Sequence, residues 1–175
     1  MIIKGGFLTM GTKRVGLART EALLENLKRE IVLGVGSSLA GGRRKVSTFD
    51  NASGAVTEVL TEATYPSGTL FTLKCAGTSK AVDLTLPALT AGLEYTFVVQ
   101  TTSGTGSTLT ISGPSAVLEG VAVLDDATAD ITGRTNMVFD ATKAIVGTRV
   151  SAICDGVKWN IVLHALCDAS ELTLS

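Results

Sequence analysis

The reactive side chains of this sequence are few and widely separated. His164 is its single histidine, and Cys75, Cys154 and Cys167 are its three cysteines, with no C-x-x-C pair among them. A nucleophilic Ser-His-Asp or Cys-His site would have to use His164, and a zinc site would need a second histidine or paired cysteines. We therefore expect no catalytic residues, no metal site and no cofactor, and we expect the thiols to be reduced and buried.

Two short charged clusters favour simpler explanations than catalysis. Asp125, Asp126 and Asp130 lie in "LDDATAD", which lacks the residue order of an EF-hand loop, so solvated turn residues are favoured over a calcium or interface role. The basic cluster at residues 43–45 has three charges without aromatic neighbours, fewer than a nucleic-acid motif requires. A contact between this cluster and an acidic protein surface is at least as consistent with the pattern.

The bulk composition predicts a β-rich protein without a strong electrostatic field. Fifteen Lys and Arg balance sixteen Asp and Glu, so we expect neither nucleic acid nor a membrane surface as a partner. No apolar run approaches the roughly 18 residues of a spanning helix, and "MIIKGGFLTMG" lacks the features of a secretory signal, which predicts synthesis in the cytoplasm. Met10 is an alternative start to Met1.

An amphipathic helix is expected over residues 17–33, ahead of the β-rich part. Leu17, Leu24 and Ile31 recur every seven residues, and Leu23 and Leu27 widen the apolar stripe. The stripe must pack on something, either its own domain or a partner or symmetry-related copy. Residues 34–46 have a Gly- and Ser-rich composition typical of a linker. We expect an N-terminal arm over residues 1–46 and a β-rich domain over residues 47–175.

From residue 47 onward, apolar and polar residues alternate with the period of a strand. In "TLFTLKC", Phe71, Leu73 and Cys75 share one face, and similar alternation marks "AVDLTLP" and the segments around Tyr95 and Ile111. We interpret these segments as half-buried antiparallel strands. The expected fold class is mainly β, with an antiparallel β-sandwich or barrel-like body behind an N-terminal helix-and-linker arm.

The last strands form the clearest predicted hairpin, "RVSAICDGVKWNIVL". Asp155-Gly156 is a typical two-residue turn, which would place Cys154 opposite Val157 and Ala152 opposite Trp159. In this register Trp159 and Ala152 face the core, and His164 faces outward.

Two parts of the chain resemble virion structural proteins of marine tailed phages. "MGTKRVGLARTEALLENLKREIVL", residues 10–33, resembles their N-terminal segment, and residues 80–163 resemble their β-rich C-terminal module. That module combines a T-L-P-x-x-x-A-G-L-x-Y-x-F segment with a final D-G-x-x-W hairpin. The matching positions here are Thr85, Leu86, Pro87, Ala91, Gly92, Leu93, Tyr95, Phe97, Asp155, Gly156 and Trp159.

The resemblance implies a non-enzymatic capsid decoration, or cement, protein. Such a protein would sit on the outer capsid surface of the virion and stabilise contacts between major capsid proteins. The alternative is a tail, fibre or head-fibre module that recognises a host surface. The heptad spacing of the arm predicts a homotrimer. The residues expected to contact the capsid or another partner are Arg14, Leu17, Arg19, Leu23, Leu24, Leu27, Ile31, Arg43 and Arg44.

Overall fold

A computed structural model describes Glu21 and residues 44–175 of the chain. The chain divides into one unit over residues 1–43 and a second over residues 44–175. Apart from Glu21, the expected helix at 17–33 lies outside the described residues, and so does the linker up to residue 43. Within the described part, no helix is both long and apolar enough to cross a bilayer.

Residues 44–175 are mainly β-structure arranged in two sheets, consistent with a β-sandwich. A short 3₁₀ helix spans Ala169–Glu171. The strands are β1 (Val46–Asp50), β2 (Val56–Val59), β3 (Thr69–Lys74), β4 (Val82–Thr85), β5 (Glu94–Thr101), β6 (Leu109–Ser112), β7 (Leu118–Val123), β8 (Thr128–Asp130), β9 (Asn136–Phe139), β10 (Arg149–Cys154), β11 (Trp159–His164) and β12 (Leu172–Leu174). The seven-stranded sheet has the order β1-β3-β5-β10-β11-β7-β8, and the five-stranded sheet has the order β12-β9-β6-β4-β2.

The prediction of an antiparallel body is wrong, because both sheets are mixed. Strands β1, β3 and β5 run parallel in one sheet, and β2, β4 and β6 run parallel in the other. Strand β7 also lies parallel to β11. Over β1 to β6, each turn of the chain thus adds one strand to each sheet, as in a solenoid. Antiparallel pairing enters where β10 joins β5 and β9 joins β6.

The parallel stack has a regular repeat that determines where its strands begin. Successive strands of the larger sheet start at Val46, Thr69 and Glu94, roughly 25 residues apart, a spacing typical of solenoid repeats. Gly68 (φ 83°) and Gly92 (φ 88°) precede β3 and β5 in the left-handed region, which glycine adopts without steric penalty. These turns bring each strand into register beside the previous one.

The two sheets enclose one apolar core, and the predicted strand faces are confirmed. Phe71, Leu73 and Cys75 are fully buried, as are Tyr95 and Ile111. Other members of the core lie between the same inner faces, including Val82, Leu84, Leu86, Phe97, Leu109, Phe139 and Ile161. The alternation identified inward residues correctly because a half-buried strand has the same period of two in parallel and antiparallel sheets.

The β10–β11 hairpin differs from its predicted register by two residues. Cys154 pairs with Trp159 and Ala152 pairs with Ile161, so the loop contains four residues, 155–158. Asp155 Oδ1 accepts hydrogen bonds from the backbone N–H groups of Val157 (2.8 Å) and Lys158 (2.7 Å), which closes this longer loop. A shift of two leaves every side chain on its predicted face. Trp159 is therefore buried and His164 exposed, as expected.

A buried asparagine fixes the first corner between the sheets. Asn51 is fully buried, and its Nδ2 donates to the carbonyl oxygens of Lys80 (2.7 Å) and Cys75 (3.3 Å). Its Oδ1 accepts the backbone N–H of Gly77 at 2.7 Å. Ser107 Oγ donates to the carbonyl oxygen of Gly77 on the next turn. These bonds satisfy backbone groups of the corner that β-ladders do not reach.

Candidate interaction surface

Within residues 80–163, the T-L-P-x-x-x-A-G-L-x-Y-x-F segment and the D-G-x-x-W hairpin pack directly against each other. Trp159 Nε1 donates to the carbonyl oxygen of Pro87 at 3.3 Å, and the ring of Trp159 stacks on Tyr95 with centroids 5.9 Å apart. The backbone N–H of Cys154 donates to the carbonyl oxygen of Leu93 at 2.8 Å. Trp159 and Tyr95 are both fully buried. These buried side chains therefore build the core and position the strands.

The outer face of the seven-stranded sheet carries a band of exposed aliphatic side chains. We define this outer band as Val121 and Val123 on β7, Ile153 on β10 and Val162 on β11, which are 39%, 37%, 50% and 43% exposed. Val162 lies opposite Val121 in the ladder. Contiguous exposed apolar patches on a soluble protein, when they are large, mark interaction sites. The outer band is therefore a candidate contact surface of the described body.

One pair of charges beside the outer band is joined within the body. Glu119 on β7 forms an ion pair with Lys158. Arg149, which lies on the central strand opposite His164, forms no ion pair among the described residues. Its guanidinium carries five N–H donors in a planar fork that matches a carboxylate. Among the described residues, the face thus combines an aliphatic surface with the guanidinium of Arg149, which has no ion-pair partner there.

Arg44 is the one expected contact residue that lies in the described part of the chain. Its Nη1 donates to Thr96 Oγ1 at 3.2 Å, and its Nη2 lies 3.3 Å from Glu94 Oε1. The side chain is half exposed, so one side of the guanidinium remains open to a partner. The other expected contact residues lie outside the described residues: Arg14, Leu17, Arg19, Leu23, Leu24, Leu27, Ile31 and Arg43.

The titratable side chains of the body do not converge on a reactive site. His164 is exposed beside a shallow groove that it lines with Asp125 and Leu166. Among the described residues, no group of three or more His, Cys, Asp or Glu side chains is arranged to hold a metal ion. Asp126 and Asp130 instead serve local structure, since Asp126 accepts the N–H of Ala169 at 3.0 Å and Asp130 accepts the hydroxyl of Thr132 at 2.7 Å.

The cysteines are free and buried, as the sequence predicts. Burial, followed by the nearby charge of Asp50, raises the pKa of Cys75 to about 11. Burial also raises the pKa of Cys167, and the acidic groups around it, Glu171 first, add to this effect. A thiol is nucleophilic only as its thiolate. These two cysteines therefore stay protonated at neutral pH and serve as small apolar core residues.

Sequence reasoning identified the strand faces but missed the outer band. The available signal was valine at outward positions of β7 and β11, where strands with one wet face normally carry polar residues. No family model matches this chain, and no curated protein matches it. Its functional interpretation therefore depends on its own residues and their geometry.

Proposed function

We propose that this chain is a non-enzymatic phage capsid decoration protein, which binds the outer surface of the assembled head and stabilises contacts between major capsid proteins. The observation that carries the proposal is the outer band on a two-sheet body whose titratable groups are dispersed. Such a body is suited to binding a surface, since reaction chemistry requires convergent groups. The sequence resemblance supplies the phage context.

In this proposal, the protein stabilises the shell by binding it only in its assembled form. A ligand that binds one state and not the other shifts the equilibrium toward the bound state by mass action. The N-terminal arm would lie across or between capsid subunits and provide the main apolar contact. Its arginines and Arg44 would add directional hydrogen bonds to carboxylates or carbonyl groups of the major capsid protein.

The outer band gives the body its own contribution to the contact. Each of its four aliphatic side chains loses water-exposed surface when a partner covers the band, at roughly 25 cal/mol per Å² of apolar area. Arg149 would pair with an acidic group of the capsid at the rim of the same surface. Rim charges of this kind mainly set orientation and partner choice.

A cryo-EM map of the parent particle tests the proposal directly. Decoration predicts many copies, arranged with the icosahedral symmetry of the head, on its outside. A few copies restricted to the tail, to a fibre or to one vertex would contradict decoration and would favour the alternative, a host-recognition module.

Co-sedimentation with undecorated heads tests the assigned surface. We expect Val162→Lys to weaken binding, because it places a charge in the middle of the outer band. Val59→Lys is the matched control, because Val59 is an equally aliphatic side chain, 62% exposed, on the five-stranded sheet. Equal binding by the two variants would contradict a role for the outer band, while leaving the copy number to decide on decoration itself.

A further inference from the structure

The four sheet edges of the described body are protected to different degrees. Strands β1 and β8 form the edges of the seven-stranded sheet, and β2 and β12 form the edges of the five-stranded sheet. Strands β8 and β12 have three residues each, so another strand could pair with only a few residues of either edge. Unprotected edges pair with other strands, so natural proteins keep edges short or place charges on them.

Strand β2 is blocked by a charge that points inward. Glu58 pairs with Leu84, whose side chain is buried between the sheets, so Glu58 faces the same side. Its Oε1 accepts a hydrogen bond from the hydroxyl of Tyr65 at 3.1 Å. A strand added beyond β2 would bury this carboxylate, which is costly. An inward charge on an edge strand is a device that prevents pairing.

Strand β1 is the longest of the four edges and has no inward charge. Its inward positions are Ser47 and Phe49, and Phe49 stacks on Phe71 with centroids 5.7 Å apart. Lys45, just before the strand, is folded back onto its own body, where Nζ donates to the carbonyl oxygen of Thr64 at 2.6 Å. The edge therefore presents the apolar Val46 and the hydroxyl of Thr48 to its surroundings, with the Asp50 carboxylate at its end.

Among residues 44–175, one set of backbone groups of β1 has no hydrogen-bond partner. The carbonyl oxygen of Lys45 accepts the N–H of Leu70 at 2.8 Å, and the N–H of Asn51 donates to the carbonyl oxygen of Lys74 at 3.1 Å. Along a strand, the N–H and C=O groups of successive residues point to opposite sides. Since Lys45 and Asn51 bond to β3, the odd-numbered residues between them also direct their N–H and C=O groups at β3. The N–H and C=O groups of Val46, Thr48 and Asp50 therefore point away from the sheet. The Val46 side chain beside them is 57% exposed.

We propose that β1 pairs antiparallel with β1 of a second copy of this chain, about a two-fold axis at Thr48. Thr48 is the middle one of the three residues with free backbone groups. Pairing centred there matches Thr48 with the partner's Thr48 and Val46 with the partner's Asp50, so that all the free groups of this edge find partners. A two-fold contact is the commonest form of homo-oligomer. This inference is independent of the proposed function.

The charge distribution along the strand selects the antiparallel arrangement. Arg44 and Lys45 precede β1, and Asp50 ends it. All three are half-exposed or exposed side chains with a partner in their own body, Glu94 for Arg44, Thr64 for Lys45 and Lys74 for Asp50, so a second copy adds a further charge interaction at each end. Antiparallel pairing places the acidic end of each strand beside the basic end of the other, whereas parallel pairing of two copies would align like charges, which is destabilising. A second copy is therefore a better occupant of this edge than an arbitrary strand.

A disulfide between two copies tests the pairing in the full-length protein. In a hydrogen-bonded antiparallel pair the opposed Cα atoms are about 5.5 Å apart, within the range that a disulfide bridges. We expect Thr48→Cys to form a covalent dimer on mild oxidation. The three native cysteines are buried and do not interfere. Thr57→Cys, an exposed threonine on the blocked edge β2, is the matched control and should stay largely monomeric on a non-reducing gel.

Sedimentation equilibrium provides a second readout. We expect the wild-type protein to contain an even number of subunits, and Thr48→Lys to lose this two-fold association because two ammonium groups meet at the axis. Thr57→Lys should keep the wild-type mass. Circular dichroism verifies that each variant is folded. Three results would each overturn the proposal: a wild-type monomer or trimer, cross-linking of Thr48→Cys no greater than that of the control, or a monomer in which another segment of the chain protects the introduced thiol.

Discussion

Trp159 Nε1 donates a hydrogen bond to the carbonyl oxygen of Pro87 at 3.3 Å, which joins the last hairpin to the segment that leads into β5. Trp159→Phe removes this donor, leaves a buried carbonyl without a partner and removes part of a fully buried ring. We expect the free energy of unfolding to fall by about 1–3 kcal/mol, measured by urea denaturation. Val157→Ala, at the 70%-exposed tip of the same hairpin, should change it little. Equal effects would contradict the role of the indole.

Asn51→Ala should be more destabilising, because it leaves several buried backbone groups of the first corner unsatisfied. Each such group costs about 1–3 kcal/mol. The side chain bonds Gly77, Lys80 and Cys75, so we expect a large drop in the unfolding midpoint. Asn160→Ala is the control, since Asn160 is exposed and bonds only to Asp155 on the surface of the hairpin. A midpoint for Asn51→Ala no lower than that of the control would contradict the corner assignment.

Gly120→Ala should also destabilise the body strongly. Gly120 has φ 143°, and a Cβ at this position would overlap the carbonyl oxygen of Ile161 on the neighbouring strand. Relieving such an overlap requires the β7–β11 pairing to shift, at a typical cost of about 1–3 kcal/mol or more. Gly54→Ala has open space around its Cβ and no positive φ, so it should be close to neutral. Thermal unfolding of the two variants provides the comparison.

Alkaline pH should destabilise the fold, because the buried Cys75 thiol and Tyr95 hydroxyl lose their protons less readily in the folded protein than in the unfolded chain. Burial raises the pKa of Cys75 from 9.0 to about 11, and burial, followed by the charge of Glu62, raises the pKa of Tyr95 from 10.0 to about 12. Between these values the unfolded chain releases protons that the folded chain keeps, so stability is lost as pH rises. We expect unfolding free energy to be constant with respect to these groups below pH 9 and to fall from pH 9 to 12. Cys75→Ala should reduce the slope between pH 9 and 11, and an unchanged slope would contradict this origin.

Thiol labelling tests the same burial at neutral pH. Cys75 and Cys154 are 0% and 1% exposed, so both should react slowly with a thiol reagent until the protein unfolds. The rate in denaturant is the reference. Rapid labelling of both residues in the native protein would show that the strand faces are assigned wrongly.

Deleting residues 1–42 tests the balance between arm and body in capsid binding. We expect the truncated protein to fold and stay soluble but to lose most of its affinity for heads, because four or five large apolar side chains of the arm contribute roughly 1.5–3 kcal/mol each before ordering costs. Thermal unfolding checks the fold, and co-sedimentation measures binding. Saturation of heads at near wild-type affinity would place the attachment on the body alone.

The sequence predicted the inward residues of the body but not the pairing of its strands. Alternation at Phe71 and Leu73 shows which side of the strand is buried. It does not show which strand pairs with this one, or whether the two strands run parallel or antiparallel. The signal for parallel turns was the recurrence of a glycine before β3 and β5, at Gly68 and Gly92, roughly one solenoid repeat apart. Short apolar segments joined by polar loops are equally compatible with hairpins, so the antiparallel interpretation was preferred and wrong.

The candidate surface was harder to predict than the core, because it depends on strand neighbours. Val121 and Val162 are separated by 41 residues in the sequence and become adjacent only through the parallel pairing of β7 with β11. The edge position of β1 likewise cannot be identified without the sheet order. Only the pairing of β1 with β3 shows that Thr48 lies on an edge strand.

The position of β10 at the centre of the seven-stranded sheet has a consequence for synthesis. As the chain leaves the ribosome, β1, β3 and β5 can stack on each other in order of appearance, but β7 and β8 emerge before β10 and β11, the strands that connect them to that stack. The hairpin of β7 and β8 can join the sheet only after β10 and β11 have been translated. Until then Leu118 and Ala122, which are fully buried in the folded body, are exposed to solvent. Ribosome-bound chains that end before Arg149 are therefore the species most in need of a chaperone.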